Sequence, residues 1–241
     1  MPFPCKVVQA RIPAMLATSV LLAAALLLSS STVFGQQTFV SRYDAFVGYT
    51  FLDSPHVSLF ENGTHFQFGV RHKTWFSLGV DYSLSQGDLT LTPNLLTPAL
   101  QRELGLLLSL APPGYALSVM SHSRTQTFAG GPQLSYRHYK KVTLFVRPSI
   151  GAIYERATPH PTDPISTLVV AELAPAGYKT DWTAFYGFGG GADLLFSKHL
   201  ALRVQADLVY DHLFSDLLKN GRLTTRFSIG PCFNFGKNIV E

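Results

Sequence analysis

Past Gln37 the apolar residues of this chain recur at every second position, and a period of two excludes the amphipathic helix as its building unit. The clearest stretch is TWFSLGVDYSLS, residues 74–85. Phe76, Leu78, Val80, Tyr82 and Leu84 fall on one face of an extended chain, and Trp75, Ser77, Gly79, Asp81 and Ser83 fall on the other. The same repeat predicts eight strands, at about 42–52, 64–72, 74–86, 124–138, 142–155, 181–196, 200–212 and 222–236. Three connections are tight and polar: HKT (72–74), YKK (139–141) and SKH (197–199). The other four are longer, at roughly 53–63, 87–123, 156–180 and 213–221. This alternation predicts an all-β fold, an eight-stranded antiparallel transmembrane β-barrel with short periplasmic turns and long extracellular loops. A soluble eight-stranded barrel shares the strand count but turns its apolar face inward.

The two faces discriminate between these barrels. On the apolar face, Phe51, Phe66, Tyr82, Tyr154, Trp182 and Tyr210 lie toward the long loops. Tyr43, Phe76, Tyr136, Phe196, Phe233 and Phe235 lie toward the short turns, with Val, Leu, Ile and Ala between. Two aromatic girdles around an aliphatic band match the two interfaces of a membrane. Composition agrees: only 14% of residues are charged and 12% are aromatic, against about a quarter charged in soluble domains. Disorder is excluded by the aromatic content. Helical membrane bundles are excluded beyond the N-terminus, because no later segment offers the roughly 20 apolar residues a spanning helix needs.

The opposite face carries Arg42, Arg71, Arg137, Arg147, Arg203 and Arg226 against Asp44, Asp81, Glu155, Asp193, Asp207 and Asp211, interleaved with Ser, Thr and Gln. It also bears Gly48, Gly69, Gly79, Gly131, Gly151, Gly189 and Gly230. An eight-stranded barrel is only wide enough for side chains to fill, so long ionic side chains there need small neighbours. This mixture predicts a crowded polar lumen. If the SKH turn is centred on Lys198, Asp193 stands opposite Arg203; if the HKT turn is centred on Lys73, His65 stands opposite Asp81.

The N-terminus has Lys6 and Arg11, then the apolar run AMLATSVLLAAALLL, then VFG before Gln36. A basic region, a short apolar core and small residues at the cleavage site predict a signal peptide over 1–35 and a barrel domain over 36–241. Its removal takes Lys6 and Arg11 with it, so a formal net charge of +4 falls to +2 and gives no footprint for nucleic acid. Cys232 is then the lone thiol, and no disulfide framework is expected.

Alternation, eight strands, polar lumen and export signal together resemble the OmpA/OmpX-like family of small outer-membrane β-barrels, over about 37–236. The last strand, RFSIGPCFNF, is similar to the family's C-terminal insertion signal, although Phe235 is followed by GKNIVE where the family ends in Phe. The resemblance implies the outer membrane of a Gram-negative-type bacterium, reached through the periplasm. It also implies outer-membrane lipid and the barrel-assembly machinery as partners.

Motifs for chemistry are sparse. No C-x-x-C, H-E-x-x-H or Walker-type loop occurs, and neither metal nor cofactor is expected. His56, His122, His160 and His212 fall in or beside loops and read as solvated. Some small outer-membrane barrels modify lipid A, and the deacylases among them carry a His-x-Ser motif with a nearby carboxylate. His56-Val57-Ser58 with Glu61 is the one such match, in a predicted loop that does not enforce the geometry. Two loop segments, 89–119 and 165–178, are more apolar than exposed loops should be. Residues 98–110 predict a short helix with Leu100, Leu104, Leu107 and Leu108 on one side, and Val169 and Val170 stand out in the second segment. These loops either cap the barrel by packing on each other or hold an apolar ligand or a surface protein. The expected role is structural or interactive at the cell surface and not enzymatic. A lipid-modifying enzyme and a narrow channel are the alternatives; a wide pore needs more strands.

Overall fold

The computed structural model describes residues 37–240 except Leu110 and Asn220, so the signal peptide expected over 1–35 lies outside the described residues. Eight strands close on themselves in chain order. They are β1 (Ser41–Ser54), β2 (Leu59–Arg71), β3 (Phe76–Leu91), β4 (Val119–Tyr136), β5 (Val142–His160), β6 (Lys179–Leu195), β7 (Leu200–Asp211) and β8 (Arg222–Asn238). Every neighbour pair is antiparallel, and β1 pairs with β8 to complete the ring. Closure leaves no sheet edge, so the ladder can lie in lipid without a row of unpaired backbone groups.

Alternation continues further up several strands than the apolar pattern alone predicts. Strand β2 begins at Leu59, not near 64, and β4 begins at Val119, not 124. The sequence pattern predicts a loop over roughly 53–63. Here Gly63 is paired inside β2, where a Cβ would run into the backbone of Leu84 and Ser85. The long connections contain two helices, α1 (Pro98–Leu108) and α2 (Pro164–Leu173). α2 starts at a capping box: Asp163 Oδ1 accepts from the Ile165 and Ser166 amides at 2.9 Å each, and Ser166 Oγ accepts from the Asp163 amide. Neither helix is long and apolar enough to cross a membrane; the strands cross it.

The inside-out distribution of side chains is physical evidence for a lipid solvent. Trp182, Tyr186 and Phe196 are 72%, 71% and 72% exposed, while Arg203 and Arg226 are each 1% exposed. A water-soluble domain would reverse both. Outward aromatics pack on each other around the wall, Tyr43 on Phe235 at 5.6 Å and Phe51 on Phe227 at 5.4 Å between ring centroids.

Candidate functional site: the lumen network and the cavity beneath the loops

Strand alternation aims the ionic residues inward, and three layers of the lumen follow from it. Toward the short turns, Asp193 stands opposite Arg203 and binds it twice, Nε to Oδ1 at 2.7 Å and Nη2 to Oδ2 at 2.9 Å. Arg203 also reaches Asp44 at 3.3 Å, and Arg71 reaches Asp44 at 3.0 Å. At mid-barrel, Asp81 accepts from Arg147 at 2.8 Å and from Arg226 at 3.3 Å. Arg226 also binds Asp207 at 2.9 Å. Gln67 and Gln205 join the two layers: Gln67 accepts from Arg203 and donates to Gln205, which donates to Asp207. Each guanidinium thus has carboxylate or amide partners, the condition under which a buried charge is tolerated.

The third layer lies at the long-loop end. Arg222 donates to Glu155 at 2.7 Å and to Asp211 at 3.3 Å, and Ser123 Oγ lies within hydrogen-bond reach of both Glu155 (2.8 Å) and Glu61 (3.0 Å). Sequence reasoning did not place Glu61 or Arg222 in the lumen. The Arg222, Thr224, Arg226 spacing carried the signal for the second, and the loop expected over 53–63 hid the first.

Two placements differ from the sequence reading. Arg42 is exposed, not in the lumen: β1 and β8 shift register between Ser41 and Tyr43, and this bulge turns Arg42 outward while Ser41 is buried. His65 does not stand opposite Asp81. The turn is centred on Thr74, so His65 faces Ser83 and Gln67 faces Asp81. His65 Nε2 still reaches Asp81 diagonally, at 3.4 Å, while its Nδ1 lies 2.9 Å from Ser228 Oγ. Arg137 lies just beyond β4, half-buried at the short-turn mouth, with the Thr74 carbonyl, Gln37 and Thr143 as acceptors.

The lumen is not uniformly polar. Phe46, Phe145 and Phe185 point inward, and the Arg203 guanidinium lies 4.9 Å from the Phe145 ring. Glycine makes room for them: a Cβ at Gly48 would run into the Phe46 ring. Along the β4–β7 side, Ala129, Ile153, Phe185 and Val209 meet Leu213 and Phe214 of the last loop in an apolar cluster.

Above the third layer the long loops enclose an apolar cavity. Its walls include Leu89, Leu96, Leu117, Val119, Val169, Val170 and Leu218, and its polar lining comprises Thr92, Ser121, Glu155, Lys179 and Arg222. Its volume is about 90 Å³, several times the roughly 10–15 Å³ that one water needs. Leu104 of α1 and Val169 of α2 are buried in one cluster, 3% and 2% exposed, with Leu100, Leu108 and Val170 packed against it. The side chain of Leu107 lies outside the described residues. The last loop ties into the first helical loop through the Leu96–Leu218 bridge and the Thr97 amide donating to Leu217 at 2.8 Å. Outside the cavity, Tyr115 donates to Asp163 at 2.8 Å. The Ser166 amide, followed by its hydroxyl and Tyr115, holds the Asp163 carboxyl below the usual carboxylate range.

The lipid-A-deacylase-like grouping does not assemble. His56 is exposed on a single 3-10 turn, whereas Glu61 points into the lumen and accepts from Thr125 at 2.8 Å. His122 and His160 lie beside the loops, near the start of β4 and at the end of β5, and His122 pairs with Asp88 at 2.9 Å.

Closed strand pairing, an exposed apolar wall and an ionic interior are now all in view. The fold is that of the small outer-membrane β-barrels. Such a wall is stable only in lipid, which places this barrel in an outer membrane. No known family model matches the chain, and no curated protein matches its sequence. Among solved structures it is similar to Neisserial surface protein A (NspA), with a TM-score of 0.51 at 10% identity over 80% of this chain and 96% of that one. It is also similar to the attachment invasion locus protein Ail of Yersinia pestis, with a TM-score of 0.45 at 8% identity over 81% and 99%. The outer membrane protein OprG of Pseudomonas aeruginosa gives 0.45 at 9% identity over 83% and 99%. The likeness is one of fold.

Proposed function

We propose that this barrel is a non-catalytic surface-interaction protein whose working part is the loop-built cavity, and that the cavity takes an apolar ligand such as an aliphatic chain. One observation carries the reading: an apolar cavity at the outer end, walled by two helical loops, above a lumen filled with ion pairs. Glu155, Arg222 and Ser121 in its lining offer a polar group to orient one end of such a ligand. The lumen serves as a rigid plug, since Arg203 fills its section with a bidentate pair to Asp193 and Arg226 donates twice to one oxygen of Asp207. Lipid surrounds the belt, the segment 1–35 directs export, and the barrel-assembly machinery inserts the chain.

Deletion of 94–114 tests the division of labour. The expected result is a barrel that keeps its heat-modifiable gel mobility but no longer captures an apolar photoactivatable alkyl probe in lipid nanodiscs. A deletion that unfolds the barrel would make these loops a structural cap and nothing more.

A further inference from the structure

On the lipid-facing wall, Gln86 of β3, Arg124 of β4, Arg156 of β5 and Thr180 of β6 stand side by side as successive cross-strand partners. All four are exposed. Directly opposed like charges repel, yet Arg124 faces Arg156 and the row contains no carboxylate. Asp88, one row further out, is engaged by His122 at 2.9 Å. The row below is Leu84, Gln126, Tyr154 and Trp182, part of the aromatic girdle at the long-loop end. The two guanidinia therefore sit one step above the girdle, at the depth of lipid headgroups. Arg156 is already oriented, its guanidinium 3.9 Å from the Tyr178 ring centroid.

We propose that this row is a binding site for the phosphate of an anionic lipid headgroup in the outer leaflet. Neighbouring strands lie about 4.8 Å apart, so one phosphate between Arg124 and Arg156 can accept from both forks, with the Gln86 amide and the Thr180 hydroxyl as flanking donors. Charge-assisted bonds of guanidinium to phosphate are the strong ones, and bidentate geometry favours Arg over Lys. A bound phosphate also removes the repulsion between the two arginines. The site is separate from the loop cavity and independent of what that cavity holds.

The chain carries two tryptophans, Trp75 and Trp182, and Trp182 lies one row beneath the arginines. A Trp75→Phe variant in phosphatidylcholine vesicles thus reports from the site through Trp182 alone. Quenching by brominated phosphatidic acid should exceed quenching by brominated phosphatidylcholine, with a relative association constant of about 3–10. In the Arg124→Gln/Arg156→Gln background the ratio should fall to about 1, and in the Arg→Lys double variant to an intermediate value. Heat-modifiable mobility confirms that each variant is folded. A ratio of 1 in the parent, or an unchanged ratio in the Gln double variant, overturns the proposal. Inorganic phosphate at matched concentration should not displace the lipid; full displacement would make this a simple anion site and overturn the lipid assignment.

Discussion

The barrel and its loop cap solve opposite problems. In the barrel the solvent outside is lipid, so the interior is held by ion pairs and the wall is apolar; in the cap the solvent is water, and Leu96, Leu104, Leu117 and Val169 turn inward as in an ordinary soluble core. The same chain therefore changes its rule of burial at the strand ends, near Glu155, Arg222 and Ser121. A cavity forms at that boundary because neither rule fills it completely. Specificity in the lumen comes from paired charges with little slack, whereas adaptability in the cap comes from aliphatic packing that a ligand can replace.

The comparison makes the lumen the place where single substitutions hurt most. Asp193→Ala leaves Arg203 buried without its bidentate partner and should destabilise the barrel by about 3–5 kcal/mol, read by urea unfolding in lipid vesicles. The double variant Asp193→Ala/Arg203→Ala should recover a large part of that loss, because no unpaired charge remains. Gly48→Val overpacks the layer at Phe46 and should cost about 1–3 kcal/mol by the same measurement. In the cap, Leu104→Ala should open the loops to protease while leaving the unfolding midpoint of the barrel nearly unchanged, since the two cores are separate clusters. Equal effects of Leu104→Ala on both readouts would merge the two regions into one.

The smallest effect concerns the Asp163 cap of α2. Its carboxyl is held below the ordinary range when folded, so its contribution is complete above the unfolded carboxylate range and is lost as pH falls through the lowered folded value. Asp163→Asn should therefore abolish any acid-triggered rise in loop proteolysis while leaving barrel stability untouched.

Much of the fold was legible because alternation is a strong signal wherever one face meets lipid. The Asp193–Arg203 pairing could be read from the short turn between its strands. The His65–Asp81 pairing could not: moving a turn centre from Lys73 to Thr74 keeps every side chain on its face but changes each cross-strand partner by two residues. Arg42 was misread because a bulge breaks the period, and bulges leave little trace in composition. The inward Phe46, Phe145 and Phe185 were missed for a different reason: an apolar residue on the polar face looks like noise until the neighbouring glycines show where its ring fits. For the cavity, the apolar loops gave the signal that something is buried there, but its shape depends on α2, and the Asp163-Pro164 start that marks this helix was not used.

Photolabelling of the full-length protein in lipid nanodiscs with a diazirine-bearing alkyl probe reads directly whether the loop cavity holds an aliphatic chain. Stoichiometric labelling is expected, concentrated on cavity residues such as Leu96, Leu117 and Val169 and reduced about tenfold by a Val169→Trp substitution that fills the space. Labelling confined to the outer belt, or unaffected by Val169→Trp, would contradict it.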